Sequence, residues 1–269
     1  MMHKKHCKLL VLILSYGIST NAFADEISNP CGENNSVLIN ILDRPTIGDS
    51  ACAVPFGKAV LEAGYEYQEL THSAGYQQNF PEAELRIGLP DNNELVILPP
   101  NFIHQSMTTS GYASSTIGIK HEMGYNQNWL DAIEVLATLP SGSTSYGSDG
   151  LGAAFNGIVS YTFNPTFNLS FMLGGSTETL PTLNNGGRFN SINPDVVFTY
   201  SATDKLDLYV EIYGQTKTNP TENSGSNSDA GIIYALLPNF TVDLEVGQRI
   251  SGNLGGFNHY VGTGIGVLL

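Results

Sequence analysis

Residues 206–213 read Leu-Asp-Leu-Tyr-Val-Glu-Ile-Tyr. Every second residue is aliphatic, and the residues between are polar or amphipathic. A period of two places one set on each face of a β-strand. Comparable alternation recurs across 57–68, 83–89, 94–99, 112–121, 129–139, 155–163, 167–173, 195–200, 230–236, 242–249 and 261–269, about twelve segments in all. Nothing else in the chain could cover a sheet of that size. An apolar face with no partner layer must meet lipid, and the polar face must line an interior. The pattern predicts an all-β, antiparallel transmembrane β-barrel of about twelve strands.

The connections support that reading. Those after the even-numbered strands are short, such as Pro90 to Asn93, Asn164-Pro165 and Ser201 to Lys205. Those after the odd-numbered strands are longer and built of Gly, Ser, Asn, Thr and Pro, as in 140–150, 174–188 and 215–229. Short turns on one side and long loops on the other is the bacterial outer-membrane pattern, with both termini in the periplasm. A soluble β-sandwich has no reason to alternate loop length this way. Tyr65, Tyr67, Trp129, Tyr161, Phe163, Phe167 and Tyr200 fall near strand ends, where an aromatic girdle is expected.

Ahead of the strands, Lys4, Lys5 and Lys8 precede a short apolar run, Leu9 to Tyr16, and Ala22-Phe23-Ala24 has the form of a cleavage site. Residues 1–24 therefore read as a signal peptide. Residues 25–56 lack a period and read as an N-terminal periplasmic extension, folded partly back into the barrel mouth. The barrel occupies 57–269. Cleavage would leave eight basic and 25 acidic residues, a net charge of −17. Such a surface argues against nucleic acid as a partner. Two cysteines remain, Cys31 and Cys52, in a compartment that permits disulfides. A bridge between them is the favoured reading, and two unpaired thiols in a tail is the other.

On the polar face the pattern places Glu62, Glu66, Glu82, Glu84, Glu134, Asp195, Asp207, Glu211, Asp243 and Glu245, with Lys58, Arg86, Lys120 and Arg249 against them. Ten acids cannot all pair with four bases. Two readings follow. Either water fills an acidic, cation-favouring lumen, or the charges form ion-pair ladders that plug a narrow barrel. The acid excess favours a hydrated lumen. Wall glycines, among them Gly64, Gly88, Gly264 and Gly266, leave room inside.

Several segments resemble a known family. They include Arg44-Pro45-Thr46, Glu62-Ala63-Gly64-Tyr65, Leu85-Arg86-Ile87-Gly88-Leu89, Leu139-Pro140-Ser141-Gly142-Ser143, Thr203-Asp204-Lys205-Leu206, Tyr209-Val210-Glu211 and Asp243 to Gly247. Together they resemble the MetA-pathway of phenol degradation family of outer-membrane barrel transporters. The resemblance implies passive passage of a small, often hydrophobic, compound, and it supplies no catalytic residue. Expected partners are outer-membrane lipid and lipopolysaccharide, the outer-membrane assembly machinery and a small-molecule solute. No cofactor or metal is expected; His72, His121 and His259 lack ligand spacing. Two alternatives stand beside the channel: an ion-plugged barrel displaying surface loops, and a lipid-active enzyme. For the enzyme, His104-Gln105-Ser106 resembles the start of a His-x-Ser-Asn-Gly phospholipase motif. Met107 and Thr108 replace the Asn-Gly, however, and the segment reads as an external loop, so the chain is expected not to be an enzyme.

Overall fold

The computed structural model describes Cys31 and residues 38–269. The expected signal peptide and most of the start of the extension lie outside the described residues. Fifteen hydrogen-bonded strands build twelve staves, all antiparallel. The first stave is β1 (Ala59–Leu70). The next three are each split in two: β2 (Tyr76–Phe80) with β3 (Glu84–Leu89), β4 (Asn93–Leu98) with β5 (Phe102–Gln105), and β6 (Gly111–Tyr112) with β7 (Thr116–Tyr125). Eight unbroken staves follow: β8 (Trp129–Thr138), β9 (Gly152–Asn164), β10 (Phe167–Thr179), β11 (Arg188–Thr203), β12 (Leu206–Gln215), β13 (Gly225–Leu237), β14 (Phe240–Ser251) and β15 (Phe257–Leu268). The ring closes where β15 pairs with β1, from Val60 opposite Leu268 to Glu69 opposite His259. Closure joins the first stave to the last, so the ring that crosses the membrane has no open seam, as the absence of water in a bilayer core requires.

Sidedness follows the sequence period. Along β12, Val210 and Ile212 are 54% and 59% exposed on the outer face, while Glu211 between them is 1% exposed on the inner one. Isolated from lipid, the outer band is a continuous exposed belt of Leu, Ile, Val and Phe, which only a hydrocarbon surround covers at low cost. Aromatic rings gather at one rim: Trp129 with Tyr161 and Phe163, and Phe167 with Phe198 and Tyr200. That rim carries the short turns. Tyr65 and Tyr67 lie toward the other rim, with Tyr67 stacked on Tyr76. Among the described residues no helix is long and apolar enough to cross a membrane; the chain crosses with strands.

The staves run further outward than the hydropathy pattern predicts. β9 begins at Gly152 rather than Phe155, β10 continues to Thr179, β11 begins at Arg188 and β13 at Gly225. Much of the expected loops 174–188 and 215–229 is therefore strand. The reason is that ladder hydrogen bonds propagate beyond the lipid band, where both faces are polar and the apolar alternation that marks a strand disappears. The segment 102–105, expected to be an external loop, is likewise strand. Pro99-Pro100 interrupts the stave without ending it, because residues 99–101 bridge a local break in the ladder.

Candidate functional site: a lumen divided by an inserted segment

The polar face encloses a lumen, and residues 38–56 occupy part of it. The segment starts at the rim of short turns, where the Leu38 N–H donates to Pro238 O. It runs in to Ile47 and Gly48 and returns to the same rim, where the Pro55 carbonyl lies against Gly88. Cys31 and Cys52 are joined by a disulfide, with Cα atoms 5.4 Å apart. Room for the segment comes from the wall glycines. The Arg44 guanidinium packs against Gly64 and Gly264, Leu38 and Leu42 pack over Gly266, and Pro55 packs over Gly88. A side chain at any of these positions would collide with the segment. The glycines read as space for water are, in the structure, seats for this chain.

An irregular segment buried inside a barrel has backbone N–H groups with no ladder partner, and each must be satisfied. The wall acids do this. Glu62 accepts from the Asp43 and Arg44 N–H groups at 3.2 and 2.7 Å. Glu211 accepts from the Ile47 and Gly48 N–H groups at 3.0 and 2.8 Å. Glu122 accepts from Ala53 and Glu94 from Val54.

Beneath these bonds lies an ion-paired network on β1, β3, β4 and β7. Arg86, fully buried, places Nε 3.0 Å from both Asp43 and Glu94 and Nη1 3.3 Å from Glu62, and it also donates to the Ile41 and Cys52 carbonyls. Lys120, also fully buried, reaches Asp43 at 2.9 Å, Glu94 at 3.1 Å and the Ser50 carbonyl at 3.1 Å. Every donor of both cations is directed at an acceptor of the wall or the segment, which is the condition for burying charge in a dry interior. Higher up, Arg44 of the segment reaches Glu82, Asp243 and Glu245 at 3.4–3.5 Å.

The residues expected to line the lumen have different surroundings. Glu62, Arg86, Lys120, Asp243 and Glu245 meet in the networks just described. Glu134 accepts from Asn156 at 2.9 Å. Glu66 accepts from Gln68 and Asn79 near the outer end. Glu84 is half-buried on β3, and Asp207 is buried on β12 near the turn rim. Asp195 and Glu211 are buried on β11 and β12. Arg249 stands apart, at the outer rim, donating to the Gly252 carbonyl and Asn258. Lys58 is exposed at the turn rim. Sequence reasoning missed Asp43, Arg44, Asp49, Glu94, Glu122, Asn227 and Asp229. Glu94 and Glu122 carried a usable signal, since Glu122 is in phase with Lys120 on β7. Asp43 and Arg44 sit in a segment with no period and carried none.

Two cavities flank the segment. One, of about 400 Å³, opens at the turn rim and is lined by Ile39, Leu130, Ser160, Asn168, Thr199 and Tyr209 among others. The second, of about 600 Å³, faces the outer side between Glu66, Gln68, Leu98, Leu136, Met172 and Tyr213. Asp49 lines both.

The other features are scattered. His104 Nδ1 pairs with Ser110 Oγ at 2.8 Å, and Ser106 Oγ accepts from the Tyr76 N–H at 2.8 Å, so each of the two side chains is engaged elsewhere. His121 contacts Asn93, and His259 pairs with Glu69 at 3.0 Å on the surface. Among the described residues no group of three or more His, Cys, Asp and Glu is gathered as a metal cage.

The architecture has known counterparts. The barrel is similar to the COG4313 outer membrane channel from Pseudomonas putida F1, with a TM-score of 0.64, 11% identity, and 84% of this chain and 100% of that one covered. It is also similar to the NanC porin (TM-score 0.54, 12% identity, 78% and 98% covered) and to the KdgM porin in complex with oligogalacturonate (0.52, 8%, 77% and 98%). At these identities the likeness is one of fold. No curated protein matches the chain. The family model described as "Putative MetA-pathway of phenol degradation" matches residues 42–264, a span that takes in both the barrel and most of the segment inside it, and the chain belongs to that family.

Proposed function

We propose that this chain is an outer-membrane channel giving passive passage to a small solute. In this reading residues 1–24 direct export. Outer-membrane lipid and lipopolysaccharide cover the apolar belt, and the assembly machinery inserts the barrel. The observation that carries the reading is the pair of cavities. One reaches in from each rim, and Asp49 near the tip of the inserted segment lines both. The outer cavity mixes carboxylates with Leu98, Leu136, Met172 and Phe257. That mixture, together with the family's description, supports a small and partly apolar compound. The fold it shares with channels and porins supports passage over catalysis.

The buried ion network favours a second reading, a barrel held shut by its own segment. Single-channel recording of refolded residues 25–269 in planar bilayers separates the two. The channel reading expects reproducible, small, cation-preferring steps. It also expects a variant in which residues 38–54 are replaced by a short Gly-Ser linker to give severalfold larger steps. Silence from both proteins, each correctly folded, would discard the channel.

A further inference from the structure

The lumen wall formed by β11, β12 and β13 carries most of the buried side-chain atoms that lack a hydrogen-bond partner among the described residues. Asp195, Glu211, Asn227 and Asp229 point inward from neighbouring register positions: Glu211 pairs with Asp229, and Tyr213 lies between Asp195 and Asn227. They are 2%, 1%, 0% and 5% exposed. Glu211 sits in the middle, within hydrogen-bonding reach of both aspartates. Its oxygens already accept from the Ile47 and Gly48 N–H groups, and Asp229 Oδ2 accepts from Tyr260 at 2.7 Å. Glu211 aside, the remaining acceptors have no hydrogen-bond partner among the described residues: both oxygens of Asp195, Oδ1 of Asp229 and Oδ1 of Asn227. None of the ion pairs among the described residues reaches these three acids; Arg44 is spent on Glu82, Asp243 and Glu245, and Arg86 and Lys120 on the network around Asp43.

Buried carboxylates without a counter-charge are too costly to persist; they take up a proton or hold a cation. Here the unused atoms are all oxygen, from two carboxylates and an amide; Glu211 is engaged with the inserted segment, and the acids do not by themselves gather into a three-carboxylate cage. The unused oxygens are a donor set for a hard cation. Asp195 and Asn227 also line the outer cavity, which gives a ligand a way in. We infer that Asp195, Asp229 and Asn227, backed by Glu211, form a binding site for a small cation, either a metal ion or the ammonium group of an entering solute. The site deepens the channel reading by naming the charge it would capture, yet binding there does not require conduction.

The test uses the refolded chain in detergent micelles with Tb³⁺ as the probe. Tyr209, Tyr213 and Tyr260 adjoin the site, so tyrosine excitation would sensitise bound Tb³⁺. The expected result is a saturable signal whose affinity falls about tenfold or more in Asp195→Asn and in Asp229→Asn, while Glu178→Gln at the outer cavity leaves it unchanged. Asp229→Asn keeps an acceptor for Tyr260 and serves if Asp195→Asn does not fold. Displacement of Tb³⁺ by Ca²⁺ but not by methylammonium assigns the site to metal ions; displacement by methylammonium at similar concentration assigns it to ammonium groups. An unsaturable signal, or one equal in the wild type and both Asp→Asn proteins, overturns the site and leaves protons as the occupants. Because this is read in micelles, a barrel that binds Tb³⁺ but gives no current would sink the channel reading alone.

Discussion

Two walls of one lumen carry similar numbers of acids and treat them in opposite ways. On β1, β3, β4 and β7, Glu62 and Glu94, with Asp43 of the inserted segment, surround Arg86 and Lys120. On β11, β12 and β13, Asp195, Glu211 and Asp229 have only backbone and hydroxyl donors, and several of their oxygens have none. The first wall has used its charges to hold a peptide segment. The second has kept its charges in reserve. Buried charge in a barrel is therefore not one property. Paired charge fixes structure, and unpaired charge is available to a ligand.

The comparison is broken most severely at Arg86. Replacing it with Met leaves Asp43, Glu62 and Glu94 short of a cation in a dry interior, at a cost of about 3–5 kcal/mol. A lowered urea midpoint of the micelle-bound barrel would show it; an unchanged midpoint would mean that water already screens this wall. Cys52 comes next. Its carbonyl accepts from Arg86, and its disulfide ties the segment to Cys31. Cys52→Ser removes a cross-link spanning 21 residues, worth about 3 kcal/mol in the chain-entropy view. Faster proteolysis within 38–56, with the barrel intact, is the expected sign.

The sharpest contrast is Glu62→Gln against Glu211→Gln. At Glu62 the change removes charge-assisted bonds to Arg86 and to two N–H groups and costs about 2 kcal/mol, with little effect on ion selectivity. At Glu211 it relieves repulsion from Asp195 and Asp229, so stability holds while cation preference in bilayer recordings falls. The reverse outcome would exchange the roles assigned to the two walls. The smallest effects separate two glycines. A methyl group at Gly88 meets the backbone carbonyls of Val54 and Pro55, whereas at Gly48 it meets the Asp195 carboxylate end at 2.5 Å. Gly88→Ala is expected to cost about 1–2 kcal/mol and Gly48→Ala less, because a side-chain end yields where backbone does not. Equal losses in thermal midpoint would argue against close packing of the segment on β3.

How much of this was legible in the sequence depends on the periodicity of each part. The barrel was legible because a lipid-facing strand must alternate, and Leu206 to Tyr213 does so without exception. The outer strand ends were not, since 174–179 and 225–229 stand where neither face is apolar. Glu62, Arg86, Lys120 and Glu211 were legible as inward residues, but not as two separate sets. That division depends on Asp43 and Arg44, which arrive from an aperiodic segment and supply an acid to one network and a cation to another. Counting four bases against ten acids left out Arg44, and it treated Lys58 and Arg249 as lumen cations when they lie at the rims.

The inserted segment also has a topological consequence. It enters and leaves through the same rim, and it immediately precedes β1, the strand that seals against β15 across almost the whole length of the barrel sequence. A loop with both ends at one mouth is not threaded. It can be laid in place before the seam closes, or drawn out afterwards, without unpairing a single strand. Placing or removing it changes only the side-chain and backbone contacts it makes within the lumen, so the wall and its filling are separable pieces of one chain.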